Sequence, residues 1–135
     1  VVMVQREVAR RMCAAPGEMS MLSVAIQVYG KPRIVCSVPP RAFKPQPKIT
    51  SAVVRIDVYD VPIVPMDPTE NFFDLVRAGF STPRKQIRNS LAVGLDIPPT
   101  ESEVMLSKAG IDPKRRAQTL TLDEWSSLLG AAHAE

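Results

Sequence analysis

The sequence contains few of the residues that build metal centres, disulfide frameworks and histidine-based active sites. Its 135 residues include two cysteines, Cys13 and Cys36, without C-x-x-C spacing, and one histidine, His133, close to the last residue. These counts give no support to a zinc site or a catalytic triad. We therefore predict no metal site and two free, buried thiols in a cytoplasmic protein. No apolar run approaches the roughly 18 residues of a bilayer-spanning helix.

Glycine-rich phosphate loops and paired catalytic carboxylates are also missing. The six glycines are scattered along the chain, and many of the 14 acidic residues stand where helices are predicted to begin. Nucleotide-loop chemistry and glycosidase-type acid and base pairs therefore have no sequence support. The chemistry that remains is binding.

Proline, in contrast, is abundant, with 13 residues. Four of them lie close together and predict a stiff, extended loop up to Thr50: Pro39, Pro40, Pro45 and Pro47. The β-branched run Ser51–Val58 then predicts a strand. Phe43 lies inside the loop between cationic neighbours, where its ring could stack on a nucleobase. The alternative is that Phe43 packs into the core and the prolines only connect two strands.

Positive charge is concentrated in the first part of the chain. Residues 1–58 carry nine Lys or Arg against three carboxylates, whereas residues 59–135 carry eight against eleven. Between Lys31 and Arg55 there are six cations and no carboxylate. This imbalance indicates attraction for a polyanion. An ordinary solvated surface is the alternative.

The hydrophobic pattern predicts alternating strands and helices over residues 1–60. We expect a buried strand over 1–4, a helix over 5–14, a helix over 21–29 packed against a sheet, and a strand over 33–38. The last of these pairs with Ser51–Val58 as an antiparallel hairpin across a 12-residue loop. The opening V-V-M-V, without an initiating methionine, predicts a truncated protein.

The remaining residues predict a linker and then helices only. Three prolines make residues 61–68 the linker, with a domain boundary there. Capping boxes at 67–70, 100–103 and 121–124 each begin a helix, and Thr82-Pro83 begins another. We expect Trp125 to face the core of this helical part.

Four stretches resemble the ribosomal RNA adenine dimethyltransferases. Residues 43–54, F-K-P-Q-P-K-I-T-S-A-V-V, are similar to that family's F-x-P-x-P-K-V-x-S-A-V-V signature. Residues 3–11, 80–91 and 109–125 resemble later blocks of the family in the same order. The resemblance covers only the family's C-terminal half. It implies an α/β fold in which residues 1–60 form the C-terminal portion of a Rossmann-like methyltransferase sheet, incomplete here, and residues 69–135 form a small all-α RNA-binding domain.

The resemblance also implies an activity. Such enzymes transfer methyl groups from S-adenosylmethionine to two adjacent adenines near the 3′ end of small-subunit rRNA. Their G-x-G cofactor loop and N-[LI]-P-Y motif are absent here. We therefore predict no catalytic or cofactor-binding residue in the chain, which should be inactive alone. Its implied partner is small-subunit rRNA or a pre-ribosomal subunit, and its uncovered sheet edges should let it self-associate.

The implied site residues form two groups. Phe43 packs on the flipped adenine in a loop shaped by Pro45, Pro47, Lys48 and Ser51. A second group contacts RNA: Lys44, Arg84, Lys85, Arg88, Lys114, Arg115 and Arg116. In the predicted helix from Thr82, Arg84 and Arg88 share one side, while Pro83 replaces an arginine that relatives often carry.

Other interpretations remain. Arg88 and Asn89 could instead tie helices together, and Gln5 and Arg6 are expected to be structural. A non-catalytic RNA-binding or ribosome-assembly module is the main functional alternative. A helix-turn-helix DNA reader is disfavoured, because its recognition helix over residues 122–132 has no cation.

Overall fold

The computed structural model describes residues 1–64 and 69–133. Its three strands are β1 (Val2–Gln5), β2 (Gly30–Val38) and β3 (Ser51–Val58). Its six α-helices are α1 (Arg6–Met12), α2 (Met21–Gln27), α3 (Thr69–Gly79), α4 (Ile87–Leu95), α5 (Pro99–Lys108) and α6 (Leu122–His133). The predicted cap of α3 at Asp67 and half of the predicted linker lie outside the described residues.

The strands form one antiparallel sheet in the order β1-β3-β2. β3 is central and pairs with both other strands, and its alternating side chains Ala52 and Val54 are completely buried against α1. The predicted hairpin is confirmed, since Val38 is paired with Ser51 and the ladder continues to Gly30. The coarse α/β prediction is therefore confirmed, while the Rossmann-like assignment of this sheet stays a prediction.

Two predictions of burial are wrong. β1 is an exposed edge strand, in which Val2 is 41% and Met3 54% exposed, because it pairs with β3 on one side and has no strand on the other among the described residues. The thiols are free as predicted, but Cys13 is half-buried and Cys36 is exposed on β2, the other edge strand. Burial raises the pKa of the Cys13 thiol. Apolar runs at a sheet edge thus do not imply burial.

Helix α2 joins the sheet to the helices that follow. It begins at Ser20, whose hydroxyl and backbone N–H form a reciprocal capping box with Ser23. We predicted that α2 packs against the sheet, and Ile26 does so. Val24 and Val28 lie instead in the main apolar cluster, which is formed mostly by α3–α6. The prediction was incomplete because a helix that is apolar all round can cover two neighbours.

All described elements from residue 69 to residue 133 are helical. Trp125 of α6 is completely buried at their centre and contacts Phe80, with 5.7 Å between ring centroids. Gly79 permits this packing, since a Cβ there would lie 2.5 Å from the Trp125 ring. Val64 and three residues of the first 28 share the same cluster. The division of the chain into domains at residues 61–68 therefore stays a prediction.

Two predicted helix starts are wrong, and one capping box is confirmed. α4 begins at Ile87 and not at Thr82, because Thr82 is held in a turn by hydrogen bonds to Ser90. α5 begins at Pro99 without a side-chain cap, so the box at residues 100–103 does not form. Before α6, the Thr121 N–H donates to Glu124 at 3.0 Å, and the Glu124 N–H donates to the Thr121 hydroxyl at 3.1 Å.

Candidate nucleic-acid interface

The proline-rich loop between β2 and β3 is not extended throughout. Pro40–Ala42 form a turn of 3₁₀ helix, and the Phe43 N–H donates to the Pro40 carbonyl at 3.1 Å. Proline tolerates the first position of such a turn because its missing N–H would have no partner there. The predicted extended loop is therefore corrected over these residues. The Lys44–Pro45 peptide bond is cis.

This loop closes one side of an open groove of about 610 Å³. The groove wall is mostly apolar and comes from β1, α1, the loop and β3: Met3, Val4, Gln5, Val8, Phe43, Lys44, Pro45, Pro47 and Ser51. Phe43 is half-buried and belongs to neither of the two apolar core clusters. The groove thus offers a flat aromatic ring beside one cation.

Lys48 is the one predicted loop residue that does not line the groove. It lies in a neighbouring depression of about 350 Å³ together with Arg6 and Arg10. In contrast, Gln5, which we expected to be only structural, is a groove residue. Its position follows from the pairing of Gln5 with Ser51 between β1 and β3. The sequence carries no local signal for that pairing, since the two residues are far apart in the chain.

Two cationic segments of the helical part are brought together by backbone hydrogen bonds. The Ile87 N–H donates to the Arg115 carbonyl at 2.6 Å, and the Arg88 N–H donates to the Pro113 carbonyl at 3.3 Å. Four exposed cations stand on these adjoining segments: Arg84, Lys85, Lys114 and Arg116. Within residues 1–64 and 69–133, none of the four takes part in an ion pair. Together they form the paired cationic turns.

Arg88, by contrast, has an intramolecular partner. Its guanidinium pairs with Glu103 of α5 at 3.3 Å. Its carbonyl accepts a hydrogen bond from the Ser102 hydroxyl at 2.7 Å. These contacts link α4 to α5. They match the alternative interpretation of Arg88, in which it holds helices together.

Arg115 is held in the same manner by α6. It forms a two-pronged ion pair with Glu124 and donates to the Thr119 carbonyl at 2.7 Å. The Arg115 hydrogen bond lowers the pKa of the Glu124 carboxyl, although burial opposes this effect. The same hydrogen bond raises the pKa of Arg115. Arg115 therefore stabilises the turn from which its neighbours project.

Neither a metal site nor a membrane span is found in the described parts of the chain. No group of three metal-ligating side chains occurs there. No helix among these residues is long and apolar enough to cross a membrane. No carboxylate lines the groove beside Phe43.

The comparisons with known proteins agree in pointing to one family. The family described as "Ribosomal RNA adenine dimethylase" matches residues 1–132. A protein named "Ribosomal RNA small subunit methyltransferase A" from Dehalococcoides mccartyi is 43% identical over 128 residues, which cover 95% of this chain and 44% of that protein. A protein of the same name from Desulfitobacterium hafniense is 44% identical over 133 residues, covering 97% and 48%.

Solved structures share the fold. The 23S rRNA methyltransferase ErmE superimposes with a TM-score of 0.64 at 26% identity, covering 96% of this chain and 52% of that one. A dimethyladenosine transferase from Plasmodium falciparum superimposes with a TM-score of 0.77 at 21% identity, covering 93% and 54%. The chain spans about half the length of these relatives. The signature stretches, the fold and the family match together show that this chain belongs to the ribosomal RNA adenine dimethylase family.

Proposed function

We propose that this chain is the RNA-binding part of an S-adenosylmethionine-dependent enzyme that dimethylates two adjacent adenines near the 3′ end of small-subunit rRNA. The observation that carries the proposal is the groove. The family's signature loop, with Phe43 at its centre, closes over β1 and β3 to form an open, largely apolar site. A purine base is planar and apolar on both faces, so it suits such a site.

In this proposal the target adenine leaves its stack and enters the groove. Phe43 packs on the face of the base, and Pro45 and Pro47 hold the ring in place from the loop. Ser51 lies at the start of β3, within the groove wall, and Lys44 is the only cation there. Flipping a base has a cost in lost stacking, which aromatic contacts offset.

The paired cationic turns contact the RNA backbone in the same proposal. Arg84, Lys85, Lys114 and Arg116 are exposed and free to meet phosphates, which fixes the position of the RNA. Arg88 and Arg115 act as positioning residues through Glu103 and Glu124, so we no longer give them the leading role in RNA contact.

The cofactor does not fit the described residues. A site for S-adenosylmethionine in a Rossmann-like fold uses a glycine-rich turn and a carboxylate for the ribose hydroxyls. The groove has neither. We therefore place the cofactor site outside this chain. Free cysteines, one of them exposed, support a reducing, cytoplasmic location.

A chimeric enzyme tests the proposal directly. The segment of the D. mccartyi relative that matches this chain over 128 residues is replaced by this chain. We expect the chimera to transfer methyl groups from labelled S-adenosylmethionine to adenines of small-subunit RNA. A chimera that melts cooperatively but methylates no adenine would contradict the proposed function.

The Phe43→Ala chimera tests the role of the groove. A base-stacking contact of about 1–3 kcal/mol predicts a 5- to 150-fold loss of kcat/KM. Phe43→Trp should be milder, and Tyr59→Ala, which removes an exposed aromatic ring outside the groove, is the matched control. Full activity combined with a much lower melting temperature in Phe43→Ala would identify Phe43 as a core residue.

A further inference from the structure

The depression beside the groove brings together three cations that do not line the groove, Arg6, Arg10 and Lys48. It is lined by Arg6, Glu7 and Arg10 of α1 and by Lys48, Ile49 and Thr50 at the end of the loop. From the sequence we expected Lys48 to shape the loop around the target adenine and Arg6 to have a structural role. The structure places them together and outside the groove. We call this depression the α1 cationic pocket.

The groove and the α1 cationic pocket are lined by residues that follow one another in the chain. Gln5 lines the groove and Arg6 lines the pocket, and the same change occurs from Pro47 to Lys48. Consecutive Cα atoms are about 3.8 Å apart, so the two sites are separated by roughly one residue at each place. The Arg6 N–H donates to the Thr50 carbonyl at 3.0 Å, which fixes α1 against the loop.

The pocket keeps its positive charge. Arg6 and Arg10 are exposed and share a face of α1 because they are four residues apart. Glu7, the carboxylate in the lining, pairs with Arg11 at 3.7 Å on the same helix, so three cations face one carboxylate in the pocket. Within the described ranges, Arg6, Arg10 and Lys48 have no ion-pair partner.

We infer that the α1 cationic pocket binds the RNA phosphates next to the base that enters the groove. This inference rests on the proposed function and adds a second site to it. Proteins that bind single strands combine an aromatic platform for bases with a cationic track for the backbone. Phe43 supplies the first element in the groove, and Arg6, Arg10 and Lys48 supply the second in the adjoining pocket.

The test uses the 135-residue chain and a 12-nucleotide single-stranded RNA with two adjacent adenines at its centre. Binding is measured by fluorescence anisotropy over a series of salt concentrations. The Arg6→Ala, Arg10→Ala double variant should reduce the slope of log Kd against log salt by about 1.4, since each phosphate contact to a single strand contributes about 0.7. Uncharged methylphosphonates beside the adenines should weaken binding to the wild type more than binding to this variant, which keeps only Lys48 of the three cations.

A matched control removes equal charge elsewhere. Lys31→Ala with Arg33→Ala changes two exposed cations near the opposite end of the β2–β3 ladder and should keep the wild-type slope and the methylphosphonate effect. Arg6→Lys with Arg10→Lys should restore the slope, and thermal melting checks that each variant is folded.

The possible failures are distinguishable. If the double alanine variant is folded and keeps both the slope and the methylphosphonate effect, the inference is overturned while the proposed function stands. If the wild type shows no salt-dependent RNA binding, the proposed function fails, and the inference fails with it.

Discussion

At the residue scale, the Glu124 carboxylate takes part in two interactions. Its carboxylate accepts from the Thr121 N–H as part of the α6 capping box and pairs with Arg115. Because the Arg115 hydrogen bond lowers the pKa of Glu124 in the folded chain, the ionised form is favoured by folding. Its contribution to stability is therefore present at neutral pH and is lost as the pH falls through the lowered pKa.

We expect Glu124→Gln to destabilise the chain by about 1 kcal/mol at pH 7, because the ion pair is partly exposed and the amide keeps a weaker cap. The difference from the wild type should disappear as the pH falls through the lowered pKa of Glu124, because both chains then carry a neutral side chain. Urea unfolding at several pH values measures it. Asp57→Asn, which breaks the exposed pair with Arg55, is the control and should change stability by less than about 0.5 kcal/mol. An unchanged difference in acid would assign the effect to the cap alone.

At the scale of elements, the contact between α3 and α6 depends on a missing side chain. A Cβ on Gly79 would lie 2.5 Å from Cη2 of Trp125, whereas a Cβ on Gly130 of α6 would meet nothing within 4 Å. Both glycines are helical, Gly79 as the last residue of α3 and Gly130 inside α6, so helix propensity favours alanine at both and most at Gly130.

We therefore expect opposite effects from the two substitutions. Gly79→Ala should destabilise the chain by about 1–3 kcal/mol through overpacking. Gly130→Ala should stabilise it by up to about 1 kcal/mol, since alanine favours helix. Thermal denaturation followed by circular dichroism compares them. Equal stabilisation by both would show that α3 and α6 are not packed as described.

The turn before α4 gives a second prediction at this scale. Arg84→Ala with Lys85→Ala should reduce the salt slope of binding to the 3′-terminal part of small-subunit rRNA by about 1.4–1.8, because two phosphate contacts are lost. Arg88→Ala should leave the slope unchanged and lower the melting temperature, since Glu103 loses its partner. The reverse result, a flatter slope only in Arg88→Ala, would contradict the division of roles between these cations.

At the scale of the whole molecule, the sheet formed by the described residues ends in two strands that each pair on one side only. β1 and β2 are both edge strands, and β2 exposes Ile34 and Val35, the latter by 55%. Unpaired strand edges with apolar side chains favour association between chains. We expect the 135-residue chain to self-associate in sedimentation velocity, and Val35→Lys to weaken that association. A monomer at all concentrations would contradict this prediction.

The sequence by itself determined the local features. The bounds of β3 followed from its β-branched run, the cap of α6 followed from Thr121 and Glu124, and the family followed from the signature around Phe43. Each of these signals lies within a few adjacent residues, where backbone preference and side-chain reach act directly. The prediction from sequence failed at the start of α4, where the hydrogen bond between Ile87 and Arg115 competes with a local proline signal.

Only the tertiary structure decided which distant residues act together. Pairing of Gln5 with Ser51 builds the groove wall, and the contact of residues 87–88 with 113–115 joins the two cationic turns. The tertiary structure also shows Arg88 and Arg115 in intramolecular ion pairs and Lys48 in the α1 cationic pocket. Such contacts depend on how the chain folds back on itself, because a residue pair far apart in sequence carries no local preference for meeting.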